Sequence, residues 1–214
     1  MKKQRIPYEH KASTREYLVA LSSFPKYLKL LHSNDKPYKG LLDWLIDKRI
    51  IKYESYERLP SIKELSKTLN LDASRVTKYL KIIYYEIHEL NENEPRLFCK
   101  EGQILCDLRF FYLGAYASFS VGFDVLPRVD EQIDFYFIKP RIGSRCFHVD
   151  KIFHDMSDTG HSIMLSLTSD YPNTYLKLLK EKAYIHRQIS FGELIGLDHE
   201  YEFEEKLINY NRNL

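Results

Sequence analysis

Ser61, Lys63, Ser74, Arg75, Thr77, Lys78 and Lys81 place hydroxyls and cations within one short stretch of the chain. Such groups donate hydrogen bonds to phosphate oxygens, and Arg, Lys and Ser also reach acceptors on base edges. They do so together only if one exposed face presents them, so the elements that carry them decide what they can do.

The stretch from Leu59 to Leu80 spells two capped helices and a tight turn. Ser61 and Glu64 form a capping box directly after Pro60, which opens the first helix. Ile62, Leu65 and Leu69 recur on one face of it. Asn70 tolerates a left-handed backbone at the helix end, Leu71 plugs the turn, and Asp72 is a good N-cap for the second helix. That helix runs from Ala73 to about Leu90, with Val76, Leu80, Ile83, Ile87 and Leu90 as its apolar stripe and Ser74, Lys78, Lys81 and Tyr85 opposite. The spacing predicts a helix-turn-helix over residues 61–90. In that motif the second helix offers its first turns to a DNA major groove while the first braces on the backbone.

Residues 59–80 resemble the GntR-type winged-helix transcription regulators. The matching positions are Leu59, Pro60 and Ser61, then Leu65-Ser66, Leu69-Asn70-Leu71, Val76 and Leu80. The resemblance implies a winged-helix fold and operator binding. Where that family tends to carry arginines this chain has Lys63, Ala73 and Thr77, which moves recognition toward Arg75, Lys78 and Lys81. A polar break at Asn91–Pro95 precedes Leu97-Phe98-Cys99-Lys100, a Glu101-Gly102 turn signal and Gln103–Cys106. This predicts a hairpin over 96–110 in the place of a wing, with Lys100 at its tip as a further phosphate contact.

Ahead of the motif, Ser13 and Glu16 mark another capping box, Pro25 restarts an apolar run, and Leu41, Leu42, Leu45 and Ile46 give a broad apolar helix face. Beyond about Leu108 the pattern alternates through Phe119, Val121 and Phe123, then Ile133, Phe135 and Phe137, then Phe147 and Val149, then Ile163, Leu165 and Leu167. Strands without intervening helices predict a small antiparallel sheet or barrel. Tyr175–Ala183 and Glu200–Asn211 read as helices, the second amphipathic through Phe203, Leu207 and Tyr210 and a candidate dimer element. The fold class is α+β: an N-terminal extension and winged-helix domain over 1–112, then a β-rich domain with C-terminal helices over 113–214.

Composition fits this division. The 214 residues are 44% hydrophobic and carry a net charge of +2. Residues 1–95 hold 18 Lys and Arg against 13 Asp and Glu, whereas 96–214 hold 14 against 17, so the front is basic and the back mildly acidic. No run nears the roughly 18 apolar residues of a membrane span. Three cysteines at unpatterned spacing fit reduced thiols in a cytoplasmic protein. Cys146, His148 and Asp150 alternate on one strand, with His154 and His161 close in sequence, yet no finger-type ligand pair is present and no metal is assigned. No Walker, dinucleotide or nucleophile-elbow motif occurs, so no cofactor and no catalysis are expected. These features together point to a sequence-specific DNA-binding protein, a prokaryotic or phage transcription regulator acting on double-stranded DNA as a homodimer. A winged helix used for protein–protein assembly and a plasmid or phage replication initiator are the alternatives.

Overall fold

The computed structural model describes residues 9–33, 35–47, 59–158, 160–169 and 174–194. The chain forms two compact units, Met1–Asp170 and Tyr171–Leu214. Helices open the first. α1 (Thr14–Ser22) starts at Ser13, whose hydroxyl accepts from the Glu16 N–H while the Glu16 carboxylate accepts from the Ser13 backbone. α2 (Pro25–Leu28) restarts at its proline, and α3 (Lys39–Asp47) buries Leu41, Leu42 and Leu45. α4 (Ile62–Leu69) and α5 (Ala73–Asn93) come next, where the apolar spacing puts them. Among the described residues no helix is long and apolar enough to cross a membrane.

Five strands complete this unit: β1 (Ile104–Tyr112), β2 (Ala115–Phe123), β3 (Gln132–Asp134), β4 (Cys146–Ser157) and β5 (Gly160–Thr168), in the spatial order β2-β1-β5-β4-β3. The sheet is mixed, not the antiparallel sheet or barrel that the alternation suggested. β1 pairs with β5 in parallel, while β1–β2, β3–β4 and β4–β5 are antiparallel. Alternation reveals which residues share a face, and Cys106, Leu108, Phe110, Phe119, Phe147, Val149, Leu165 and Leu167 do line the buried one. It carries no information on which strand lies beside which.

Two further expectations change. Residues 95–98 form a 3₁₀ turn rather than the first strand of a wing, and the first hairpin is β1–β2. Pro95 opens that turn, and Phe98 is driven into the core, where it stacks on Tyr27 with ring centroids 5.0 Å apart. Cys99 then lies against Gly122, where a Cβ would meet the Cys99 Cα at 2.9 Å, so the absent side chain permits the approach. The Glu101-Gly102 turn exists, with Gly102 at φ 81°, but it leads from the 3₁₀ turn into β1. The boundary expected at 112/113 falls inside the two-residue loop Leu113-Gly114, whose positive φ values of 47° and 84° fit a primed hairpin turn. The alternation through Phe135 and Phe137 likewise yields only a short β3. Pro140 sits in the first turn of α6 (Lys139–Ile142), and the chain coils from Tyr136 onward.

Helices and sheet meet through an aromatic cluster. Phe137 stacks on Phe24 at 4.8 Å and approaches Tyr84 at 4.9 Å, His88 at 5.0 Å and Phe119 at 5.2 Å. Pairs of this kind contribute about 0.5–1.5 kcal/mol each beyond the area they bury. Two polar residues of α5 enter this core. Asn91, 4% exposed, donates to the Ser120 carbonyl at 2.7 Å and accepts from the Ser120 N–H at 2.8 Å, closing the outer side of edge strand β2 at that point. His88, 3% exposed, has Arg141 Nη1 3.3 Å from its Nδ1. Burial first, and the Arg141 charge second, push its pKa down to about 3.

In the second unit α7 (Thr174–Ile185) covers the predicted Tyr175–Ala183 helix, and α8 (Phe191–Leu194) follows. Ala183 and Ile189 are buried with Leu194 packed against them. The predicted helix Glu200–Asn211 lies outside the described residues.

Three measurements check this fold. A chain ending at residue 112 loses both partners of β1 and the Ser120 amide, so it should unfold without a cooperative transition, whereas 1–170 should keep one. Asn91→Ala leaves two part-buried backbone groups of Ser120 unpaired and should lower urea-derived stability by about 1–3 kcal/mol. His88 is neutral when folded and protonates near pH 6.5 when unfolded, so its contribution is complete above that pH and declines toward pH 3. Across that window one proton corresponds to about 1.4 kcal/mol per pH unit, a slope that should shrink by one proton in His88→Gln.

Candidate nucleic-acid interface

α4 and α5 meet through three residues, Asn70 to Asp72. Ser61 caps α4: its hydroxyl accepts from the Glu64 N–H at 3.2 Å, and the Glu64 carboxylate accepts from the Ser61 backbone at 2.7 Å. Those hydrogen bonds hold the Glu64 carboxyl below its ordinary pKa. Asn70 takes the left-handed conformation, φ 50° and ψ 44°, that the sequence predicts. The Ser66 hydroxyl donates to the Leu71 carbonyl, and the Leu71 N–H returns to the Ser66 carbonyl at 3.0 Å, which fixes the turn. Asp72 has the backbone of an N-cap, although its side chain caps nothing and instead lies 3.9 Å from Arg75 Nε.

The sequence-derived contacts divide once α1 is in place. Ser74, Arg75 and Lys78 are exposed on the first turns of α5, and Lys63 is exposed on α4. Thr77 turns away: its hydroxyl donates to the Ala73 carbonyl at 2.9 Å and lies 3.4 Å from the Thr14 hydroxyl of α1. Lys81 sits at the rim with its ammonium 5.8 Å from the centre of the Tyr17 ring. Ser61 is exposed with its hydroxyl engaged in the cap. Lys100 is exposed in the turn before β1, not at a wing tip, so it joins no common face that the pairings define. Ser61, Lys63, Ser74, Arg75 and Lys78 therefore flank one turn, while Thr77 is withdrawn.

α1 also adds groups that local patterns did not nominate. The Thr14–Thr77 contact brings the start of α1, with Lys11 and Arg15, beside the first turns of α5. Arg15, Lys139 and Arg145 line a cleft of about 240 Å³ that holds one carboxylate, Glu16. Burial raises the Glu16 pKa, but hydrogen bonds from Ser13 and the charges of His10 and Lys139 bring it below its ordinary value overall, so it remains an anion. The capping box at Ser13 announces α1 in the sequence; which helix it packs on is a tertiary fact with no local signal.

Charge along α5 runs against its dipole. Arg75, Lys78 and Lys81 occupy the N-terminal half, and Glu86, Glu89, Glu92 and Glu94 follow at the C-terminal end, with no acidic residue in the first turn and no basic residue in the last. A cation in a first helical turn is unfavourable by about 0.3–1 kcal/mol; of these basic residues only Arg75 stands there, with the Asp72 carboxylate 3.9 Å from its Nε. This order places positive charge where the backbone N–H groups of a helix start already favour an anion.

No family model, curated protein or solved structure matches this chain.

Proposed function

We propose that the protein binds double-stranded DNA, with α5 entering the major groove by its first turns and α4 bracing on the backbone, and that it acts as a prokaryotic or phage transcription regulator. The observation that supports this most is the inverted charge order of α5. Arg75 and Lys78 stand exposed near the start of α5 beside the exposed Ser74, at the helix end whose backbone N–H groups also favour an anion. The helix-turn-helix is read here as part of a winged-helix-like domain in which β1–β2, the first hairpin after α5, takes the place of the wing. The groups around Arg15, Lys139 and Arg145 extend the basic surface toward flanking phosphates.

One recognition helix reads three or four base pairs, so the proposal includes a homodimer on paired half-sites. Protein–protein assembly is the rival reading, favoured by Tyr85, which is 57% exposed on the Lys78 side of α5. Salt separates the two, because neutralising phosphates releases counterions and protein contacts through Tyr85 do not.

Binding to duplex DNA should weaken steeply as salt rises. Lys78→Ala should lower the slope of log K against log salt by about one unit, and Arg75→Gln should weaken binding while leaving stability within about 0.5 kcal/mol of the parent. A salt-independent interaction, or no duplex binding at low ionic strength, would overturn the proposal and leave the assembly reading.

A further inference from the structure

The β4–β5 hairpin outgrows the sheet that carries it. β1 pairs with β5 only from Ile163 onward, and β3 pairs with β4 only at residues 146–148, so among the described residues 155–157 and 160–162 pair only with each other, and His154 lies opposite the first β5 residue that β1 also pairs. Its registers set His154 opposite Ile163 and Met156 opposite His161. His154, Met156 and His161 therefore share one face. All three are exposed, Met156 at 78%. The two imidazoles meet: His154 Nδ1 lies 2.9 Å from His161 Nε2, with ring planes 21° apart and centroids 5.1 Å apart.

That is not the cluster the sequence suggested. A bulge at Asp150 takes it out of register with Cys146 and His148, so those three donors do not converge, and the described residues contain no group of three His, Cys, Asp and Glu able to hold an ion. The donors that do converge are two imidazoles, and the register sets Met156 on the same face, opposite His161.

We propose that His154 and His161, with Met156 alongside, form a copper(II) site at the outer end of this hairpin. The ligand types select the metal. Two nitrogens bound to one ion at roughly 2.0–2.1 Å lie about 2.9 Å apart in a square plane and about 3.4 Å apart in a tetrahedron. The observed 2.9 Å is the length of a hydrogen bond between the rings, and it brings both nitrogens within reach of one ion. Copper(II) is also the tightest-bound divalent ion of its row at nitrogen sites, and a neighbouring thioether suits copper once it is reduced. The proton count balances without loss. The metal takes His154 Nδ1 and His161 Nε2, so His154 keeps its proton on Nε2 and His161 keeps its own on Nδ1, and whichever ring donates in the metal-free pair changes tautomer. Water completes the plane at this exposed position. The site is independent of the DNA-binding proposal, since it uses neither α4 nor α5.

The test is a titration of the full chain with copper(II), followed by calorimetry and electron paramagnetic resonance. One equivalent should bind with nitrogen superhyperfine structure, more tightly than nickel(II) or zinc(II). An outer-shell partner alone is worth about 10–100-fold in metal affinity, so His154→Ala and His161→Ala should each weaken binding by at least about tenfold. His32→Ala, which removes an exposed histidine elsewhere, should leave it unchanged. Met156→Leu should spare copper(II) and weaken copper(I). Undiminished binding in the His154→Ala/His161→Ala double variant overturns the proposal. So does tighter binding of zinc(II), or a sulfur-to-copper charge-transfer band in place of the nitrogen signature, which would move the metal to the thiols.

Discussion

One side-chain amide sets the register of α5 against the sheet. Asn91 answers both backbone groups of Ser120, so the last turns of a 21-residue helix are held against the edge of the sheet as another strand would be held. A buried amide that found only one of these partners would leave a polar group unpaired at a cost of about 1–3 kcal/mol. The double bond therefore specifies a register between helix and sheet and does more than attract them. Around it the aromatic cluster closes, with Phe119 on the strand beside Ser120 and His88 one turn back along α5. The end of α5 held to the sheet is the acidic one, while its basic start packs Val76 and Leu80 inward and keeps Ser74, Arg75 and Lys78 exposed.

This division also accounts for the polar residues inside. His88 remains neutral because burial and Arg141 both oppose its protonation, so a titratable ring behaves as an aromatic neighbour of Tyr84, Phe119 and Phe137. Arg141 in turn approaches Glu92 at 3.6 Å, linking α6 to the acidic turn of α5. Ion pairs at this exposure contribute little singly. This one lays a cation of α6 against the acidic end of α5.

The helix-turn-helix was legible in the sequence because each of its parts is a local decision: Pro60 and Ser61 start a helix, Asn70 ends it, and Leu65, Val76 and Leu80 show which faces are inward. The candidate site on these two helices was partly legible. Ser74, Arg75 and Lys78 lie where the helical period puts them, but Thr77 was lost to α1, a packing partner 63 residues away that no local pattern reveals. The wing failed for a related reason. Residues 97–99 are apolar enough for a strand, yet Pro95 and the fit of Phe98 against Tyr27 and Phe119 decide for a 3₁₀ turn. Strand positions were readable from alternation, whereas the parallel β1–β5 pairing and the meeting of His154 with His161 are set by register between distant segments.

That parallel pairing governs how the molecule comes into being on the ribosome. β5 lies between β1 and β4, yet it is the last of the five strands to be synthesised. Until Gly160–Thr168 emerges, β1 has only β2 beside it, and β4 has only the three residues of β3. The growing chain thus carries two separate hairpin fragments with open edges, which are templates for pairing with other chains. Joining them requires closure over more than fifty residues, a slow class of contact. A chain whose translation stops short of position 160 would display the unpaired side of β1, making late elongation the interval in which chaperones and proteases have most to act upon.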